Sequence, residues 1–97
     1  MNRVSPHRSK KHLAFVRSLA CAFCEHPAEE AHHHSRKAGG GGIGIKGCDL
    51  LTVPLCAPHH RELHKRGEVH PYGPVETREV LWKSVALCLR ARVLEGT

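Results

Sequence analysis

Aromatic side chains are scarce in this chain of 97 residues: Phe15, Phe23, Tyr72 and Trp82 are its whole stock. A core built mainly of small aliphatic residues is thin, and small domains with thin cores often need a staple that a structural metal can supply. The shortage also leaves no evident platform for stacking unpaired bases. No apolar run is long enough to cross a bilayer, for which a helix needs about 20 such residues. Met1 to Lys11 is polar and basic with no apolar segment behind it, so no secretory leader is expected. A disulfide framework is then unexpected for the five cysteines, and a reduced, cytoplasmic, metal-binding use of thiols is favoured. Internal repeats are lacking, and the length allows one domain, 1–97.

Against these absences stands an excess of histidine. Ten imidazoles exceed what packing requires, and the formal charge of +6 suits a polyanionic partner, with nucleic acid leading. Residues 1–11 read as a loose basic arm. The pattern of Leu13, Val16 and Ala20 predicts a helix over 9–20, which delivers the chain to a knuckle turn at Cys21-Ala22-Phe23-Cys24. A short strand is expected over 29–34 and another over 51–55, with Pro54 marking an edge or a strand end. Between them, Ala38 to Gly44 is glycine-rich. It reads either as a DNA-facing loop that approaches phosphate closely or as a plain flexible connection. Pro58 and Gly67 bracket a second helix, and Gly73-Pro74 opens a third that runs to Leu94. Its apolar stripe is read as Val80, Leu81, Val85, Leu87, Cys88, Ala91 and Leu94. The fold class is α+β: a hairpin with a long connection and a helix, flanked by N- and C-terminal helices.

The ligands divide by chemistry into two groups. Cys21 and Cys24, then Cys56 and His59, form paired spacings that suit a closed, tetrahedral structural zinc site, with Cys48 as a rival for the place of His59. The remaining His32, His33, His34, His60 and His64 suit an open site for Mg2+ or Mn2+, with Ni2+ and Zn2+ as alternatives. His60 and His64 stand four apart and share a helix face. A neutral imidazole beside such an ion can take a proton from water, its unperturbed pKa being about 6.5.

The order Cys-x2-Cys, Ala31-His32-His33, a glycine-rich gap, and Val53-Pro54-Leu55-Cys56-x2-His59-His60-x3-His64 resembles the HNH endonucleases. It is most similar to the zinc-stapled phage subgroup related to the phage recombination-enhancement nuclease, and the match spans 21–67. The resemblance implies a ββα-metal core gripping one catalytic ion. It implies that His32 and His60 ligate the ion and that His64 is a further ligand or a phosphate contact. His33 is then the general base, and a register shift by one would let His34 replace either His32 or His33. The sequence departs from the family pattern in two places. His34 stands where an aliphatic residue is usual, and Asn2 is the only asparagine, so Asp49 is the candidate for the orienting role of the missing Asn.

The expected activity is hydrolysis of DNA phosphodiesters, and the resemblance implies products with 5′-phosphate and 3′-hydroxyl ends. Arg36, Lys37, Arg61, Lys65 and Arg66 flank the histidines as sequence-independent phosphate contacts, with targeting left to a protein partner. The competing class is a zinc-stapled nucleic-acid-binding module without catalysis, and metal storage ranks third. The surplus of histidine separates them, because a binding module has no use for it.

Overall fold

A computed structural model describes residues 8–34 and 48–94 of the chain. Ser9 opens α1 (Lys10–Arg17), its side chain accepting the His12 N–H at 3.1 Å, which satisfies one of the helix's free N-terminal donors. The helix ends at Arg17, three residues earlier than the apolar pattern suggested, with Ser18 as its C-cap. Cys21 N–H donates to the His26 carbonyl at 2.8 Å and Ala20 bridges to Pro27, and this closes the knuckle. Ala20 is therefore exposed, and His12, one turn before Val16, takes the inner face instead. The basic arm also needs correction at its described end. Lys10 and Lys11 are helical, and Arg8 and Ser9 are tied to Asp49.

Strands β1 (Glu30–His33) and β2 (Thr52–Leu55) pair antiparallel, with Glu30 opposite Leu55, Ala31 opposite Pro54, His32 opposite Val53 and His33 opposite Thr52. Their long connection includes residues 35–47, so the glycine-rich segment lies outside the described residues. All four residues of β2 are buried, because α1 and the C-terminal helix both pack on this strand. Pro54 gives no N–H to the ladder, but its carbonyl accepts the Ala22 N–H at 2.9 Å and so stitches the knuckle to the sheet.

The chain turns from β2 straight into α2 (Ala57–Arg66), with Cys56 as N-cap and proline in the first turn. Gly67 ends it in the left-handed region, at φ 76°, and returns its N–H to the Leu63 carbonyl. After a short link, α3 (Pro74–Leu94) lays Thr77, Leu81, Val85 and Cys88 on the core. The buried cluster of Cys21, Val53, Leu55, Leu81 and Val85 thus joins knuckle, strand and helix. Leu87 and Leu94, read from the sequence as part of the packed stripe, are 57% and 81% exposed. Leu87 is two residues beyond Val85, hence about 200° round the helix, and Leu94 lies past the last buried turn. No helix among the described residues is long and apolar enough to cross a membrane.

Candidate metal centres

The knuckle and the N-terminus of α2 face each other across the end of β2, and their donor atoms converge. Cys21, Cys24 and Cys56 Sγ with a His59 ring nitrogen all lie within 4.8 Å of one another. Cys24 and Cys56 sulfurs are 3.8 Å apart, and His59 Nδ1 stands 3.5 Å from Cys21 Sγ and 3.3 Å from Cys56 Sγ. A tetrahedral ion with Zn–S near 2.3 Å and Zn–N near 2.0–2.1 Å implies S···S edges of about 3.8 Å and S···N edges of about 3.6 Å. The donor set fits a closed zinc shell. His59, and not Cys48, joins it; Cys88 is buried on α3, where burial pushes its thiol up.

The thiols are primed unequally. Burial raises the Cys21 pKa, but hydrogen bonds from the backbone at Cys56 and Phe23 and from His59 outweigh it and bring it down to about 7. Burial raises the Cys56 thiol, and Cys21 and Cys24 add to the effect, so it is pushed up to about 11. The physical content is a pair in which one thiolate forms readily and opposes the next until a cation compensates both.

A second convergence lies on the other side of α2. Successive side chains of a strand point to opposite faces, so Glu30 and His32 share the face of β1 turned to α2. His32 Nδ1 is 3.3 Å from His60 Nε2, which is 3.1 Å from His64 Nε2. One ring hydrogen can bridge one pair of these nitrogens, whereas a cation among them satisfies all three. Glu30 Oε1 takes the His60 Nδ1–H at 2.7 Å, which leaves Nε2 as the lone-pair atom. Burial, then the facing rings of His60, His34 and His64, hold the His32 pKa down at about 3, so its lone pair stays available. His64 is exposed, and the cluster opens into a hollow of about 460 Å³ bordered by Glu30, Arg61 and Lys65.

His33 projects to the opposite face, where its Nε2 meets Asp49 Oδ1 at 2.8 Å. Asp49 is buried, which raises its pKa, but hydrogen bonds from His33 and Ser9 lead the effects that hold the carboxyl below its ordinary range. His34 takes a different environment. Its ring meets Trp82 edge-on at 4.4 Å, and its Nε2 is buried with no hydrogen-bond partner among the described residues. Burial and the nearby Arg78 lower its pKa.

Among the basic residues singled out from the sequence, Arg61 and Lys65 border the histidine hollow. Arg66 pairs with Glu68 at 3.7 Å, and Arg36 and Lys37 lie outside the described residues. The sequence reading missed Glu30, Arg8, Ser9 and Trp82. Glu30 was legible in principle, since residues two apart on a strand share a face. The other three reach the site through tertiary packing and carry no local signal.

A family model described as a protein of unknown function, DUF968, matches residues 3–72. The chain belongs to that family. The DUF968 span takes in every ligand of both clusters together with His33 and Asp49, and it ends before α3. The chain is also similar to the uncharacterized protein YdfU of Escherichia coli (strain K12), at 44% identity over 55 residues. That stretch is 57% of this chain and only 16% of YdfU, so the chain spans a small part of that relative's length. No solved structure matches the chain.

Proposed function

We propose that this DUF968 chain is a metal-dependent endonuclease of the HNH type, with β1, β2 and α2 as its ββα-metal unit and DNA as its substrate. The observation that carries the reading is the convergence of three imidazole nitrogens from β1 and α2 with no thiol among them, beside a separate Cys3His set. A structural zinc needs only the latter. An all-imidazole site with an exposed member leaves coordination positions for a phosphate and water.

His32, His60 and His64 would hold a divalent ion, and Glu30 fixes the tautomer and direction of His60. When bound, the ion supplies positive charge to a phosphate oxygen and to the leaving 3′ oxygen. His33 takes a proton from the attacking water. The water oxygen bonds to phosphorus, the P–O3′ bond breaks, and the departing oxygen acquires a proton from solvent. Arg61 and Lys65 anchor neighbouring phosphates at the rim without reading bases. Support for His33 over His34 lies in their surroundings: a carboxylate orients His33, while His34 is packed against Trp82.

The test is nicking of supercoiled plasmid by the zinc-loaded chain and by His33→Ala, with Mg2+ or Mn2+ added and with neither. Metal-dependent conversion to open circles by the wild type alone supports the reading. No cleavage of duplex, nicked or single-stranded DNA, alongside salt-sensitive binding, overturns it in favour of a zinc-stapled binding module.

A further inference from the structure

Arg8 and Ser9, just ahead of α1, reach the histidine site through Asp49. Asp49 lies just ahead of β2 with its side chain only 6% exposed, and three hydrogen bonds converge on its carboxylate. Oδ2 accepts the Ser9 backbone N–H at 2.8 Å, while Oδ1 accepts from His33 Nε2 at 2.8 Å and from Arg8 Nη1 at 3.3 Å. Its backbone is held as well, because Thr52 Oγ1 donates to the Asp49 carbonyl at 2.9 Å. Ser9 is itself immobilised as the N-cap of α1. An ionised carboxylate is an acceptor only, so the hydrogen between Asp49 and His33 belongs to Nε2. A neutral imidazole carries one hydrogen, and its other nitrogen must then bear the lone pair.

We infer that Asp49, clamped by Arg8 and Ser9, is a positioning residue that holds His33 in the Nε2–H tautomer and so makes Nδ1 the nitrogen that accepts the proton. The chemical role rests on the nuclease reading; the tautomer does not. In the serine-protease triad, replacing the corresponding aspartate by asparagine keeps the geometry but costs about 10⁴ in kcat through the wrong tautomer. The same logic applies here, with one difference in construction: the carboxylate is aimed by a residue 40 positions away, at the start of α1. The N-cap of that helix and the residue before it are thus part of the apparatus that aligns the base. Arg8 adds charge to the clamp from the surface, its side chain being half exposed.

The experiment is side-chain 1H–15N correlation NMR of His33 in the zinc-loaded full chain, wild type and Asp49→Asn, at a pH where the ring is neutral, with plasmid nicking kinetics in parallel. The wild type is expected as a single Nε2–H tautomer. In Asp49→Asn, whose amide can turn its NH2 toward the ring, that tautomer gives way to Nδ1–H or a mixture. The variant's kcat is expected to fall about 10²-fold or more with KM within about twofold, the span of general-base loss. A merely structural Asp49 would not produce that split. An Nδ1–H wild type overturns the inference whether or not the variant folds, and so does a folded Asp49→Asn that keeps the wild-type tautomer. If the wild type cleaves no DNA, the NMR comparison still decides the Asp49–His33 link, and only the nuclease reading falls.

Discussion

Three adjacent histidines meet three different fates because their principal partners differ, although the rings of His32 and His34 also lie 5.8 Å apart. His32 looks across to His60 and His64, His33 is held by Asp49, and His34 packs on Trp82. Replacing His33 by alanine is expected to lower kcat about 10²–10⁴-fold with the circular dichroism unchanged. His34→Ala, which loses packing, should keep kcat within about tenfold of wild type. Full activity in the first and loss in the second would transfer the base role to His34. The thiols carry the pH dependence. Cys56, pushed up to about 11, keeps its proton at neutral pH in the metal-free site, and zinc must displace it. Because binding releases protons, zinc affinity is expected to weaken as pH falls from 8 to 6 and to strengthen as it rises. Competition with a chromophoric chelator measures this, and a pH-independent affinity would remove Cys56 from the ligand set.

At the scale of elements, helix boundaries were legible where a single residue type enforces them. Proline in the first turn of α2 and glycine just past its end bracket the helix, because proline needs no N–H there and glycine accepts a positive φ. Gly67→Ala is expected to cost about 1 kcal/mol. Its absent Cβ would meet no atom within 4 Å, so the penalty is that of the backbone alone, read as a shift in the denaturant midpoint. The face of α3 was less legible. The helix is apolar on several sides, and periodicity cannot choose among them until β2 is in place. The structure makes Leu81 a core residue and Leu87 a surface one. Leu81→Ala should cost about 2–5 kcal/mol and Leu87→Ala within about 0.5, by urea unfolding with zinc present. Equal costs would mean that α3 packs on a different face.

For the whole molecule, the thiol site ties the N-terminal knuckle to the junction of β2 and α2, directly over the buried cluster of Cys21, Val53, Leu55, Leu81 and Val85. With so thin a core, folding and zinc binding are expected to be one transition. Cys21→Ser, or removal of zinc by a strong chelator, should abolish the native circular dichroism and cooperative melting. A soluble, zinc-free Cys21→Ser chain with a native spectrum would show that the staple is dispensable. The sequence alone determined what short-range geometry decides. Cys-x2-Cys and Cys-x2-His set two donors on one turn, a four-residue step puts His60 and His64 on one helix face, and thiols part from imidazoles by ligand chemistry. Tertiary structure decided what depends on distant segments meeting. The pairing of β1 with β2 turns Glu30 and His32 to one face and His33 to the other, and the docking of α1 brings Ser9 onto Asp49, 40 residues away. Such contacts leave no periodic trace in the chain, because the partners are selected by packing and not by spacing.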